Sequence, residues 1–82
     1  MAQYTATFHT HLAALRSCRA LGRAEGTEAR MAPVPRVLSS SCGTCVLYCG
    51  EDPLLTLLDR DLEAVYRREG DGYILVHEES AG

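Results

Sequence analysis

The sequence lacks an apolar run near 18 residues, so a membrane-spanning helix is not expected. It also lacks an excess of positive charge. Eight basic side chains stand against 11 acidic ones, for a net charge of -3. That balance argues against a non-specific nucleic-acid binder, which normally carries a basic patch or stripe. Met1 to Phe8 has neither the basic nor the apolar region of a secretory signal, and a cytoplasmic location is the expectation. No phosphate-binding glycine loop is present: Gly70 and Gly72 follow a strand pattern but open no helix. There is no serine nucleophile elbow. No internal repeat occurs, and the Ser39–Ser41 run is too short to count as low complexity. Length is also scarce. At 82 residues the chain is one small domain. Such a domain buries about 60–65% of its unfolded surface and holds a thin two-layer core. It has no room for a large barrel around an internal cofactor, and no cofactor is expected.

What is present is a globular composition, 46% hydrophobic and 23% charged. Four cysteines are many for this length. In a secreted chain they would suggest disulfide staples. In a cytoplasmic one they suggest metal, redox or sulfur chemistry.

Tyr4, Ala6 and Phe8 alternate with Thr5 and Thr7, which predicts a first strand. Thr10 is a plausible N-cap for an amphipathic helix running to Ala24, with Leu12, Leu15, Cys18 and Leu21 on its apolar face, helped by Ala14. Gly22 and Gly26 blur its end. A second strand is expected over Thr27–Ala32. Pro33 and Pro35 remove two backbone donors and confine this segment to an edge or an irregular extended piece. Cys45 to Cys49 reads as a third strand, with Gly50 as its exit. Asp52 and Pro53 then signal a second helix to about Asp61, with a leucine face from Leu54 to Leu62 buried in the core. The rest reads as extended, folded back at a turn over Glu69–Gly72 into a last strand, Tyr73–His77.

This order predicts an α+β, two-layer ferredoxin-like sandwich of βαββαβ order with an additional C-terminal strand. Right-handed crossovers place the first and third strands near the centre of the sheet. Residues 1–79 would form the single domain, and 80–82 a flexible end. One sheet face would be uncovered. Tyr4, Tyr48 or Tyr73 on that face would favour a homodimer.

The chemistry centres on Cys42, in the run P-R-V-L-S-S-S-C-G-T-C. A turn of small polar residues exposes a thiol. Gly43 permits an unusual backbone and leaves space above the sulfur. Successive N–H groups there can form an anion nest. Ser39, Ser40 and Ser41 add hydroxyl donors, and Arg36 adds positive charge, all of which favour a thiolate or persulfide. The bland alternative is an ordinary loop cysteine.

Cys42 and Cys45 form a C-x-x-C pair. A dithiol redox centre normally begins a helix at its first cysteine. Here a strand pattern follows, which weakens that reading without removing it. A zinc site wants four ligands. Cys45 and Cys49 on one strand face stand about 13 Å apart, at about 3.3 Å per residue. One metal ion cannot easily bridge them, and no metal is expected. Cys18 and Cys49 read better as small buried apolar side chains. His9 and His11 flank the helix start. Either can relay a proton to Cys42 if the fold brings it close, although a surface or capping role is the simpler reading. His77, Arg67, Arg68 and Glu69 read as strand and turn-flanking polar residues.

Together these residues are familiar. The initial strand ends in Phe8, and His11, Ala14 and Leu15 lie on the helix. Met31-Ala32-Pro33-Val34-Pro35-Arg36 follows, then Ser39-Ser40-Ser41-Cys42-Gly43, and finally Val65-Tyr66-Arg67. Over Tyr4–Tyr66 the chain resembles the small "putative Se/S carrier protein-like" family. The proline–arginine segment followed by S-S-C-G is the specific part. The resemblance implies a carrier rather than a full enzyme. Cys42 would accept sulfur or selenium as a persulfide or selenosulfide, and Arg36, Ser40, Ser41 and Gly43 would shape the site. Protein donors and acceptors would be the partners. Where the family often continues with apolar or basic residues, this chain has Thr44 and Cys45. Cys45 could attack a Cys42 persulfide and release sulfide. The competing readings are a thiol–disulfide protein using Cys42 and Cys45, and a partner-binding module with inert cysteines.

Overall fold

A computed structural model describes residues 1–24 and 27–79. The expected loose end at 80–82, and Gly26 at the helix exit, lie outside the described residues. The elements are β1 (Ala2–Phe8), α1 (His11–Arg23), β2 (Ala29–Pro33), β3 (Thr44–Gly50), β4 (Leu62–Glu69) and β5 (Gly72–Glu78). The five strands form one antiparallel sheet in the order β2-β3-β1-β4-β5. The fold is α+β. β1 is its centre, with β3 beside it, and β2 is an edge strand whose last residue is Pro33. That is where a residue without an N–H does least damage to a ladder.

The second helix is not formed. Between β3 and β4 there is only a 3₁₀ turn, Leu55–Leu57. The ferredoxin-like βαββαβ order is therefore not realised among the described residues. The cause is local competition for the backbone. The Asp52 carboxylate accepts the Leu54 N–H at 2.7 Å, which closes an Asx turn where a helix cap was expected. Leu54 then enters the left-handed region at φ 54°, ψ 41°, a conformation that cannot propagate a right-handed helix. Asp59 makes a second Asx turn, accepting the Asp61 N–H at 3.0 Å. The leucines still serve the core, but from an irregular segment. Leu62 is buried, Leu54, Leu57 and Leu58 pack partly against the core, and Leu55 is exposed. Ser17 on α1 anchors this segment: its hydroxyl, 1% exposed as a residue, accepts the Asp59 N–H at 2.7 Å.

α1 starts as expected. Thr10 is extended, and its hydroxyl accepts the Ala13 N–H at 3.1 Å. Its buried face differs from the predicted one. Ala13, Ala14, Ser17 and Leu21 face the sheet, while Leu12 is 52% exposed. Three of the four residues on the buried face are small, and the Leu12 edge lies toward solvent. Beneath α1 lie Tyr4, Ala6, Phe8, Val46, Tyr48 and Val65. Tyr4 and Tyr48 stack on each other with ring centroids 5.5 Å apart, and both are buried. They belong to the helix-covered core, so the expectation of these tyrosines on an open face is overturned. Tyr73 is half-buried, with the Arg68 guanidinium 5.6 Å above its ring.

The β4–β5 turn has Glu69 opposite Gly72, which leaves Gly70 and Asp71 as a two-residue loop. Gly70 takes the positive φ of 58° that the first loop position of such a hairpin demands.

Candidate functional site around Cys42

The chain between β2 and β3 turns back on itself. Val34 N–H donates to the Gly43 carbonyl at 3.1 Å, and Leu38 N–H to the Pro35 carbonyl at 3.0 Å. This closure carries Ser40, Ser41 and Cys42 against the junction of β1 and α1. The Ser40 hydroxyl lies 3.0 Å from the Phe8 carbonyl oxygen and 3.0 Å from Glu63 Oε1, so its one proton has two acceptors. Ser41 donates twice to the same carboxylate, through its N–H to Oε1 at 3.0 Å and its hydroxyl to Oε2 at 2.8 Å.

Glu63 reaches the loop because β4 is irregular there. Thr7 pairs with Ala64 and Phe8 with Leu62, so Glu63 is an extra residue with no partner on β1. A bulge of this kind re-aims a side chain. It lets Leu62 turn into the core while Glu63 turns to the serines. Burial alone would push the Glu63 carboxyl up. The Ser41 N–H, the hydroxyls of Ser41 and Ser40 and the nearby His9 outweigh it and hold Glu63 below the ordinary carboxylate range.

His9 is half-exposed. Its Nδ1 is 3.4 Å from Glu63 Oε2 and 3.5 Å from Ser41 Oγ. His11 Nδ1 lies 3.4 Å from Thr44 Oγ1. Both histidines therefore stand at the Cys42 loop, a proximity that spacing could not decide. Neither has a hydrogen bond to the Cys42 sulfur among the described residues. His77 instead pairs with Glu79 at 3.1 Å.

Cys42 is half-buried and packs against the edge of the core. As a thiol it donates to the Thr44 carbonyl at 3.3 Å. Ser40 Oγ is 3.9 Å from the sulfur. Gly43 has φ +73°, and nothing lies within 4 Å of where its Cβ would be. The Ser41 N–H, a candidate member of an anion nest, is committed to Glu63. Arg36 is exposed and makes no ion pair among the described residues.

Cys45 lies in β3 opposite Thr7 and is fully buried. Its thiol contacts the Pro33 carbonyl at 3.7 Å. Burial pushes this thiol up, the charge of Cys42 adds to that, and a backbone hydrogen bond opposes it in part. Cys18 and Cys49 are half-buried, and burial also raises the Cys18 thiol. All four cysteines are free. No group of three or more His, Cys, Asp or Glu side chains among the described residues is placed to hold a metal ion.

Two concavities accompany the site. One of about 160 Å³ adjoins Glu63 and is lined by His9, Ser39, Tyr66 and Glu78, among others. A larger one of about 320 Å³ opens on the sheet between Thr5, Arg30, Leu47 and Cys49, and does not include Cys42 or Glu63. Gln3, Thr5, Leu47 and Cys49 alternate along β1 and β3 with the core residues Tyr4 and Tyr48, so this concavity opens on the face away from the helix.

The residue that sequence reasoning missed is Glu63. It carries no motif. Its role comes from a one-residue bulge that pairs Leu62, not Glu63, with Phe8. A lone glutamate at the start of an extended stretch gives no signal of that.

The described residues contain no helix long and apolar enough to cross a membrane. No curated protein matches the chain, and no solved structure does. The family model described as "Putative Se/S carrier protein-like" matches residues 3–59, which takes in the whole Cys42 loop and stops short of Val65-Tyr66-Arg67. With more than half of its length matched, the chain belongs to the Putative Se/S carrier protein-like family.

Proposed function

We propose that this protein carries sulfur or selenium on Cys42, bound as a persulfide or selenosulfide, between a donor and an acceptor protein in the cytoplasm. The observation that carries the reading is the setting of Cys42. Its sulfur sits half-buried beside the Ser40 hydroxyl, next to a glycine that leaves open space. The family match over this loop points the same way.

The loading step balances without an external oxidant. The Cys42 thiolate attacks the outer sulfur of a donor persulfide. The donor S–S bond breaks, a new S–S bond forms on Cys42, and the donor leaves as a thiolate. Unloading is the same exchange in reverse, onto an acceptor thiolate. As a thiolate, Cys42 no longer donates to the Thr44 carbonyl, and the Ser40 hydroxyl, 3.9 Å from the sulfur, can turn toward it. Gly43 adds no side chain beside Cys42. Ser41 holds the turn through Glu63, and Arg36 supplies positive charge at the surface of the same loop.

Cys45 sets the lifetime of the cargo. Its thiolate can attack the inner Cys42 sulfur, expel hydrosulfide and leave a Cys42–Cys45 disulfide. Full burial and a raised thiol make Cys45 slow in that role. The same facts disfavour a primary dithiol redox function. Mass measurement of the intact protein after exposure to a persulfide donor tests the proposal: a sulfur adduct lost on Cys42→Ala supports it, and an adduct indifferent to Cys42→Ala sinks it.

A further inference from the structure

We propose that Glu63 is the positioning residue of the sulfur site: it pins the Ser40–Cys42 turn to the β1–α1 junction and makes the placement of Cys42 depend on pH. Its functional meaning rests on the carrier reading, and its geometry does not.

The argument starts at the bulge. An unpaired residue at the start of β4 places one carboxylate within hydrogen-bond reach of three donors on two consecutive loop residues. The next residue is Cys42. Its sulfur is 3.9 Å from Ser40 Oγ, so any movement of the serines moves the thiol or its nearest hydroxyl. Without Glu63, the remaining side-chain ties from the two serines to other elements are Ser40 to the Phe8 carbonyl and Ser41 to His9. Glu63 also lies outside the matched family segment, which ends at residue 59.

An ionised carboxylate accepts on both oxygens. A protonated one turns one oxygen into a donor, and what it still accepts are weaker, neutral hydrogen bonds. Charged hydrogen bonds are the stronger kind, so protonation loosens the turn. The titratable groups that face Glu63 come from every neighbouring element. His9 approaches from the β1–α1 junction, and Cys42 belongs to the clasped turn. Tyr66 shares β4, and Glu78 at the end of β5 and Glu79 just beyond it line the same small cavity. Burial opposes ionisation of Glu63, and His9 favours it. The donors prevail, and Glu63 titrates below the ordinary carboxylate range. The turn is thus held at neutral pH and released only in acid.

The test uses the isotopically labelled full-length protein. An amide that donates to a carboxylate reports its ionisation, so the Ser41 amide resonance is followed against pH in wild type, Glu63→Gln and Glu63→Ala. The wild-type resonance is expected to move with an inflection below the ordinary carboxylate range, and the inflection to vanish in both variants. Alkylation of Cys42 by a neutral reagent at pH 7 is expected to rise about tenfold in Glu63→Ala, the scale of one charged hydrogen bond. Glu63→Gln, whose amide oxygen still accepts the Ser41 N–H, should fall between. A Ser41 amide indifferent to acid in the wild type overturns the proposal, even if neither variant folds. So does alkylation of Cys42 in a folded Glu63→Ala at the wild-type rate. If the wild type shows the titration but never accepts sulfur, the carrier reading fails and this one stands; the reverse result separates them the other way.

Discussion

Ser41 grips Glu63 with two donors at once, its hydroxyl at 2.8 Å from one carboxylate oxygen and its N–H at 3.0 Å from the other. That pairing joins the Cys42 loop to a strand more than twenty residues away in sequence. It links the stability of the fold to the geometry of the turn that carries Cys42.

The sign of the resulting pH dependence follows from the direction of the shift. Glu63 is held below its unfolded value. It therefore contributes stability above the unfolded carboxylate pKa, and that contribution is lost as pH falls through the lower, folded value. Chemical denaturation of wild type and Glu63→Gln across the acid range should show a steeper loss in the wild type. Parallel curves would contradict this.

Ser17→Ala removes the acceptor for the Asp59 N–H, inside the helix–sheet interface. The expected loss is about 1–3 kcal/mol, the range for a buried group left unpaired. The denaturation midpoint reports it. Because this contact organises the Leu54–Asp61 segment, amide exchange there should quicken more than in β1.

Tyr48 donates its hydroxyl to the Pro53 carbonyl, and burial, with Tyr4 and Asp52 nearby, pushes the phenol strongly up. Tyr48→Phe should cost about 1 kcal/mol. In the wild type, absorbance titration should leave Tyr48 protonated in alkali until the protein unfolds.

Gly43→Ala meets no steric obstacle, but its φ of +73° costs a side-chain-bearing residue about 1–2 kcal/mol. A stability loss of that order is expected, with altered alkylation of Cys42. An unchanged midpoint would mean that the turn relaxes to another conformation.

Much of the fold was legible because it rests on period. The alternation at Tyr4–Phe8, the Thr10 cap, the edge prolines and the Cys45–Cys49 strand all appear in the structure. The second helix was misread because Asp52-Pro53 and a leucine run are the usual opening of one. The same aspartate satisfies a nearer N–H in an Asx turn, and Leu54 goes left-handed. Local hydrogen bonding won over amphipathic spacing. The helix face was misjudged because alanine and serine packed where leucine was expected. At the site, Cys42, the serines and Gly43 announced themselves as a small-residue turn. The approach of His9, His11 and Glu63 could not be read, since it depends on register and on one bulge.

Cys45 gives a prediction of opposite sign to Cys42. Cys45→Ser should preserve the sulfur adduct or lengthen its life, because the internal attacker is gone. A shorter life would assign Cys45 a protective role instead.

The most direct test is peptide-level mapping of transferred sulfur after brief contact with a persulfide donor, with all four thiols in competition. The account predicts the extra atom on Cys42, with Cys18, Cys45 and Cys49 unmodified. Sulfur found on Cys49 or Cys18 instead, with Cys42 left bare, would contradict it.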